Sequence, residues 1–149
     1  INSEIGDNCE VSGSTLEDSI VGNNCTIGPY CHLREHTVLQ DGVELGDHVE
    51  VKNSTLKKEV KAGHFCYLGD AVIGDSTNIG AGTITCNYDG ESKHPTTIGA
   101  NSFIGCDTML IAPIEIGDNC LTGAGAVVTQ NIPSGRRAIG IPAKISDIK

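Results

Sequence analysis

The chain has 149 residues, 19 of them glycine, with no tryptophan, 3% aromatic residues and a formal net charge of −9. That charge argues against a nucleic-acid partner, which needs a basic surface, and no apolar run approaches the roughly 18 residues that cross a bilayer as a helix. With so few rings, the core must be assembled from many small aliphatic groups in regular order.

Along the chain, an aliphatic residue followed by a small or polar one recurs every six positions. The beat runs through Ile5, Val21, Ile27, Leu33, Leu39, Leu45 and Val51. It slips by one residue to Leu56, Ala62 and Leu68, slips again to Ile73 and Ile79, and returns at Ile98, Ile104, Leu110, Ile116, Thr122 and Val128. Four positions after the aliphatic residue comes a small one, among them Cys9, Cys25, Cys31, Thr37, Thr55, Cys66, Thr77, Thr83, Ser102, Thr108, Cys120 and Ala126. Each hexad reads as one short strand and a corner, with the aliphatic group pointing into a triangular prism and the small residue filling its narrow interior. Glycine after the aliphatic residue suits a corner that needs unusual backbone angles. Three hexads make one coil, and coils stack about 4.8 Å apart. The pattern predicts an all-β, left-handed parallel β-helix over residues 1–149, about seven coils tall, with a short C-terminal tail.

The beat is broken once, over 85–97, where CNYDGESKHPT carries the turn residues Asn, Asp-Gly and Pro. A loop of that length on a rigid solenoid is expected to project from the prism and to serve function. Of seven cysteines, Cys9, Cys25, Cys31, Cys66 and Cys120 fall in the small interior slot and read as core filling. Cys86 and Cys106 do not. The odd count and the lack of a CxxC pair point to a reducing, cytoplasmic setting. No signal peptide is visible, and a start at Ile1 reads as a processed chain or an excised domain.

Arg34 and Lys52 follow interior aliphatic residues and stand one coil apart, so they should stack on the same edge. Two cations at that spacing call for an anion, and phosphate fits. His64 takes an outward position near Lys61, Tyr67, Asn78 and the loop residues Asn87, Tyr88 and Lys93. A neutral imidazole there could take a proton from an amine. The beat places Arg34 and Lys52 on one wall, His64 on a second and Asn78 on the third. One copy therefore cannot assemble them, and threefold closure with sites between subunits follows. The histidines His32, His36, His48, His64 and His94 do not repeat in register, so no metal is expected.

The stretch 61–94, KAGHFCYLGDAVIGDSTNIGAGTITCNYDGESKH, with VEVKNS around Lys52 and HLRE around Arg34, resembles the C-terminal acetyltransferase domain of the bacterial bifunctional N-acetylglucosamine-1-phosphate uridylyltransferase/glucosamine-1-phosphate N-acetyltransferase. The resemblance implies a homotrimer that transfers acetyl from acetyl-CoA to the amine of glucosamine 1-phosphate, serving UDP-GlcNAc and cell-envelope synthesis. It implies His64 as general base, and Arg34, Lys52 and Lys93 as phosphate ligands. Tyr67 and Asn78 would bind the sugar, Asn87 and Tyr88 would hold the acetyl group, and Ala81, Cys106 and Ala124 would contact acetyl-CoA. Two departures stand out. Arg34-Glu35-His36 replaces the family's arginine-proline-glycine, and the ending AIGIPAK lacks the family's coenzyme-phosphate arginine. Lys144, or Arg136 and Arg137, could replace it. No Gly-rich nucleotide-binding start precedes the repeats, so a uridylyltransferase domain and UTP chemistry are not expected in this chain. Two alternatives stay open: the same chemistry on galactosamine 1-phosphate or another amino-sugar phosphate, and a non-catalytic trimerisation module.

Overall fold

The computed structural model describes residues 1–148, which form strands joined by tight corners, with no helix among the described residues. Three sheets wind round one axis as the walls of a parallel β-solenoid. The first wall has seven strands, from Glu4–Ile5 to Ile114–Ile116. The second has nine, including Glu44–Asp47, Lys61–His64, Asn78–Ile79, Phe103–Ile104 and Leu121–Thr122. The third has seven, including His32–Arg34, Glu50–Lys52, Tyr67–Gly69 and Ile84–Cys86.

The core follows the six-residue beat. Leu33, Leu45, Leu56, Leu68, Ile73, Ile79, Ile98, Ile104 and Leu110 are all buried along the axis, one per wall per coil. At the open first end Ile5 and Val11, the latter in register with Ile27, are exposed. Cys25, Cys31, Cys66 and Cys120 fill the interior slot, Cys9 is half-buried at the open end, and all seven thiols are free. The slot is narrow enough for the thiols to meet backbone carbonyls: Cys31 Sγ donates to Gly46 O at 2.9 Å and Cys66 Sγ to Gly80 O at 3.3 Å. Burial pushes the Cys25, Cys31 and Cys66 thiols above their ordinary pKa, as inert core groups require.

Three expectations are corrected. First, Gly28 apart, which has a φ of 111°, the glycine after the aliphatic residue is not the one at the left-handed angle. That angle falls two residues later, on Asn8, Asn24, His48, Ser76, Asn101 and Asn119, residue types dominated by asparagine, which tolerates it. The glycine instead makes room: a Cβ on Gly46 would lie 2.0 Å from the Gly63 carbonyl oxygen of the next coil. Second, Thr55 lies in the strand Thr55–Leu56, and Ser54 fills the interior slot, because the slip of one residue before Leu56 moves the slot with it. Third, Asn78 belongs to the second wall, opposite Lys61, and not to a wall of its own. It precedes Ile79 and joins the strand that buries that residue. The short C-terminal tail is a hairpin: Arg136–Gly140 continues the second wall in parallel with Leu121–Thr122, and Ala143–Asp147 folds back antiparallel upon it. This hairpin covers the last coil, with Ile139 packed over Gly123.

The break in the beat is shorter than 85–97, because Thr85 and Cys86 complete one strand and Thr96 and Thr97 open the next. What remains closes on itself. Tyr88 and Lys93 form an antiparallel bridge, and His94 N donates to Asn87 O at 2.7 Å.

Candidate active site

Arg34, Lys52 and Gly69 stand at the same register on three successive strands of the third wall. The stacked cations expected from the sequence are therefore in place, and an anion lies between them. It is a side chain of the protein: the Glu35 carboxylate places one oxygen on Arg34 Nη1 and the other 3.1 Å from Lys52 Nζ. Glu50 also holds Arg34, accepting from Nε at 2.9 Å and Nη2 at 2.7 Å. Burial works against the charged Lys52 ammonium, but the Glu35 hydrogen bond and the Asp70 and Glu35 charges outweigh it and raise its pKa.

Asp70, at the corner just after Gly69, is the hub of the cluster. It accepts from Asn53 Nδ2 at 2.7 Å and Asn87 Nδ2 at 2.6 Å, and Lys52 Nζ lies 3.8 Å away. Burial opposes its charge. The two amides, with Lys52 and Lys93, more than compensate and hold the carboxyl below the usual range. Asn87 is buried and also donates to Tyr67 Oη at 3.3 Å. Tyr67 lies flat along the outside of the third wall, over Gly69. A Cβ on Gly69 would meet Tyr67 Oη at 2.5 Å and Asn87 Nδ2 at 2.6 Å. Gly69→Ala is expected to displace Tyr67 and Asn87 while the core strand stays in place. Activity should fall about tenfold or more as positioning is lost, with a far-UV CD spectrum like that of the wild type. Unchanged kcat/KM would show that Tyr67 needs no such fit.

His64 ends the second-wall strand Lys61–His64 and is exposed. No side chain among the described residues hydrogen-bonds its ring, which leaves both nitrogens open to a substrate. One residue from each following coil continues its corner. Gly82 N donates to His64 O, Asp107 N to Ala81 O and Gly125 N to Cys106 O, at 3.1, 2.7 and 2.8 Å. These bonds place His64, Ala81, Cys106 and Ala124 in one column, with small side chains beyond the histidine. The column runs toward the C-terminal hairpin, where Arg136 is paired with Asp147 at 3.1 Å and Arg137 Nε donates to Ser146 Oγ at 2.8 Å. Lys144, exposed opposite Ile139, forms no ion pair among the described residues.

The structure therefore gathers Arg34, Lys52, Tyr67, Asn87 and, through its charge on Asp70, Lys93 on the third wall. His64, Ala81, Cys106 and Ala124 share the adjoining corner. Tyr88 is exposed on the loop, with Lys93 Nζ 4.8 Å from its ring centre. Asn78 is apart: it lines a groove of about 400 Å³ with Lys61, Glu44 and Glu59. It aligns with Lys61, three residues and about 10 Å along the strand from His64. Sequence reasoning missed Asp70, Glu35 and Glu50. Asp70 stands in the quoted YLGD block, one coil after Asn53, and that spacing was the available signal.

Residues 1–84 match the family described as GlmU-like, C-terminal hexapeptide, and residues 95–130 match the bacterial transferase hexapeptide (six repeats). The bifunctional protein GlmU of Streptococcus pyogenes serotype M3 is 49% identical over 94% of this chain, and that of Thermosipho melanesiensis 47% over 97%. This chain spans 30% and 32% of the length of those two relatives. Among solved structures, AntD, an N-acyltransferase from Bacillus cereus in complex with dTDP and 3-hydroxybutyryl-CoA, superimposes with a TM-score of 0.63 at 14% identity, covering 100% of this chain and 84% of that one. PerB from Caulobacter crescentus does so with a TM-score of 0.55 at 18% identity, over 96% of this chain and 58% of that one. These two likenesses are of fold. The hexapeptide beat, the block around His64 and a family match over more than half of its length place this chain in the GlmU-like, C-terminal hexapeptide family.

Proposed function

We propose that this chain is an acetyltransferase that moves the acetyl group of acetyl-CoA to the amine of glucosamine 1-phosphate. One juxtaposition carries the reading: the stacked Arg34–Lys52 pair on the third wall beside a column of small residues that starts at His64. The wall between Tyr67 and Gly69 is about 7 Å long, a fit for a sugar whose phosphate meets the cations at one end and whose amine meets His64 at the other. The thioester arm lies along Ala81, Cys106 and Ala124, where small side chains let an extended ligand approach the backbone, and Lys144 meets a coenzyme phosphate.

The His64 imidazole takes the proton as the amine attacks the thioester carbonyl. The new C–N bond forms, the C–S bond breaks, and coenzyme A leaves as the thiol. Holding the amine and the thioester together supplies much of the rate. Lys93 adds a third cation for the phosphate. Asn87 fixes Tyr67 against the sugar and, with Tyr88, borders the acetyl group. Asn78 lies at the far edge of the second wall, so it reaches this pocket from a neighbouring copy. A closed homotrimer supplies one such neighbour to every site.

Thiol release from acetyl-CoA should appear only when glucosamine 1-phosphate is added, with N-acetylglucosamine 1-phosphate identified by mass spectrometry. Release with galactosamine 1-phosphate alone would change the acceptor, and no release with any amino-sugar phosphate would overturn the reading.

A further inference from the structure

The Arg34–Lys52 pair is already bridged by an anion that belongs to the chain. The two Glu35 oxygens divide between the guanidinium and the ammonium, the arrangement two oxygens of a phosphate would adopt. Lys52 is well covered, its side chain 12% exposed, whereas that of Glu35 is 53% exposed. The cations are thus fixed and the carboxylate is free to leave. Glu35 and His36 both take left-handed angles, with φ of 50° and 63°, which turns the Glu35 side chain back over the edge it follows. Glu50 and Asp70 hold the same two cations from below and from the corner. The edge therefore carries three carboxylates against Arg34, Lys52 and the nearby Lys93. Glu35 alone bridges the two cations, so a phosphate takes the position between them only when that carboxylate leaves.

We propose that Glu35 is an internal competitor for the acceptor's phosphate: it occupies the anion position between Arg34 and Lys52 and swings into solvent when the phosphate enters. The proposal rests on the amino-sugar phosphate reading of this site and adds to it a residue that sets the affinity for phosphate. Because displacing Glu35 lowers affinity for every acceptor, only one that also engages Tyr67 and the neighbouring wall binds well. An inorganic anion, lacking those contacts, is kept out.

Two measurements on the full chain test this. Inorganic phosphate binding, followed by ³¹P line broadening, should tighten about tenfold in Glu35→Gln. KM for glucosamine 1-phosphate should fall by a similar factor, with the change in KM rather than kcat. Adding Lys52→Ala to Glu35→Gln should abolish the gain in phosphate binding, because the gain acts through the cations. Unchanged or weaker phosphate binding in Glu35→Gln would overturn the proposal, whatever the turnover. Tighter phosphate binding with no acetyl transfer by either protein would support Glu35 as the competitor and remove the acetyltransferase reading.

Discussion

Replacing His64 by alanine is expected to lower kcat by about 10²–10⁴-fold, the range a positioned general base contributes. The fold should survive. The imidazole is exposed, and the bond tying this residue to the next coil comes from Gly82 N to its backbone oxygen at 3.1 Å, which alanine retains. The neighbouring Cys66 keeps its interior slot, since its thiol meets the backbone carbonyls of His64 and Gly80 and not the ring. KM for acetyl-CoA should change little, because the small-residue column beyond His64 is untouched. The checks are thiol release under saturating substrates and a thermal melt. Turnover at the wild-type level would move the base elsewhere. A collapsed melting transition would make His64 a structural residue.

The interior of the prism was legible in the sequence because each wall of each coil turns one aliphatic side chain inward at a fixed interval. Leu45, Ala62 and Ile79 could therefore be assigned by counting. Counting fails where the chain slips. The shift before Leu56 hid Ser54 behind Thr55, and the assignment of Asn78 failed because the residue before each buried aliphatic shares its strand. The C-terminal hairpin had no beat to reveal it. Its antiparallel pairing depends on the turn between Gly140 and Ala143, outside the parallel repeat. At the site, the histidine and the stacked cations stood out because basic groups are scarce in a chain with net charge −9. Glu35, Glu50 and Asp70 did not, being three among nineteen acidic residues. Their role comes from a meeting across one corner of three coils, which spacing alone specifies only for residues already under suspicion.

Asp70→Ala is expected to reduce kcat/KM by about 10–100-fold and to destabilise the chain by about 1–3 kcal/mol, the cost of leaving the buried Asn87 amide without an acceptor. Asn87 and Asn53 lose hydrogen bonds of 2.6 and 2.7 Å, and Lys52 keeps only Glu35 as a counter-ion. Tyr67 then loses its support as Asn87 shifts. The pH dependence has a definite sign. The fold depresses the Asp70 pKa, so the charged carboxylate is the stabilising form. Its contribution is complete above the unfolded value of about 3.9 and is lost as pH falls through the lower folded value. The melting temperatures of wild type and Asp70→Ala should therefore differ most near pH 7 and draw closer as pH falls below about 3.9. Asp70→Asn, which keeps the shape and removes the charge, separates the ion pairing with Lys52 from the packing. A gap between wild type and Asp70→Ala that stays constant over this range would mean that the charge of Asp70 does not hold the corner together, and that Lys52 is fixed by Glu35 alone.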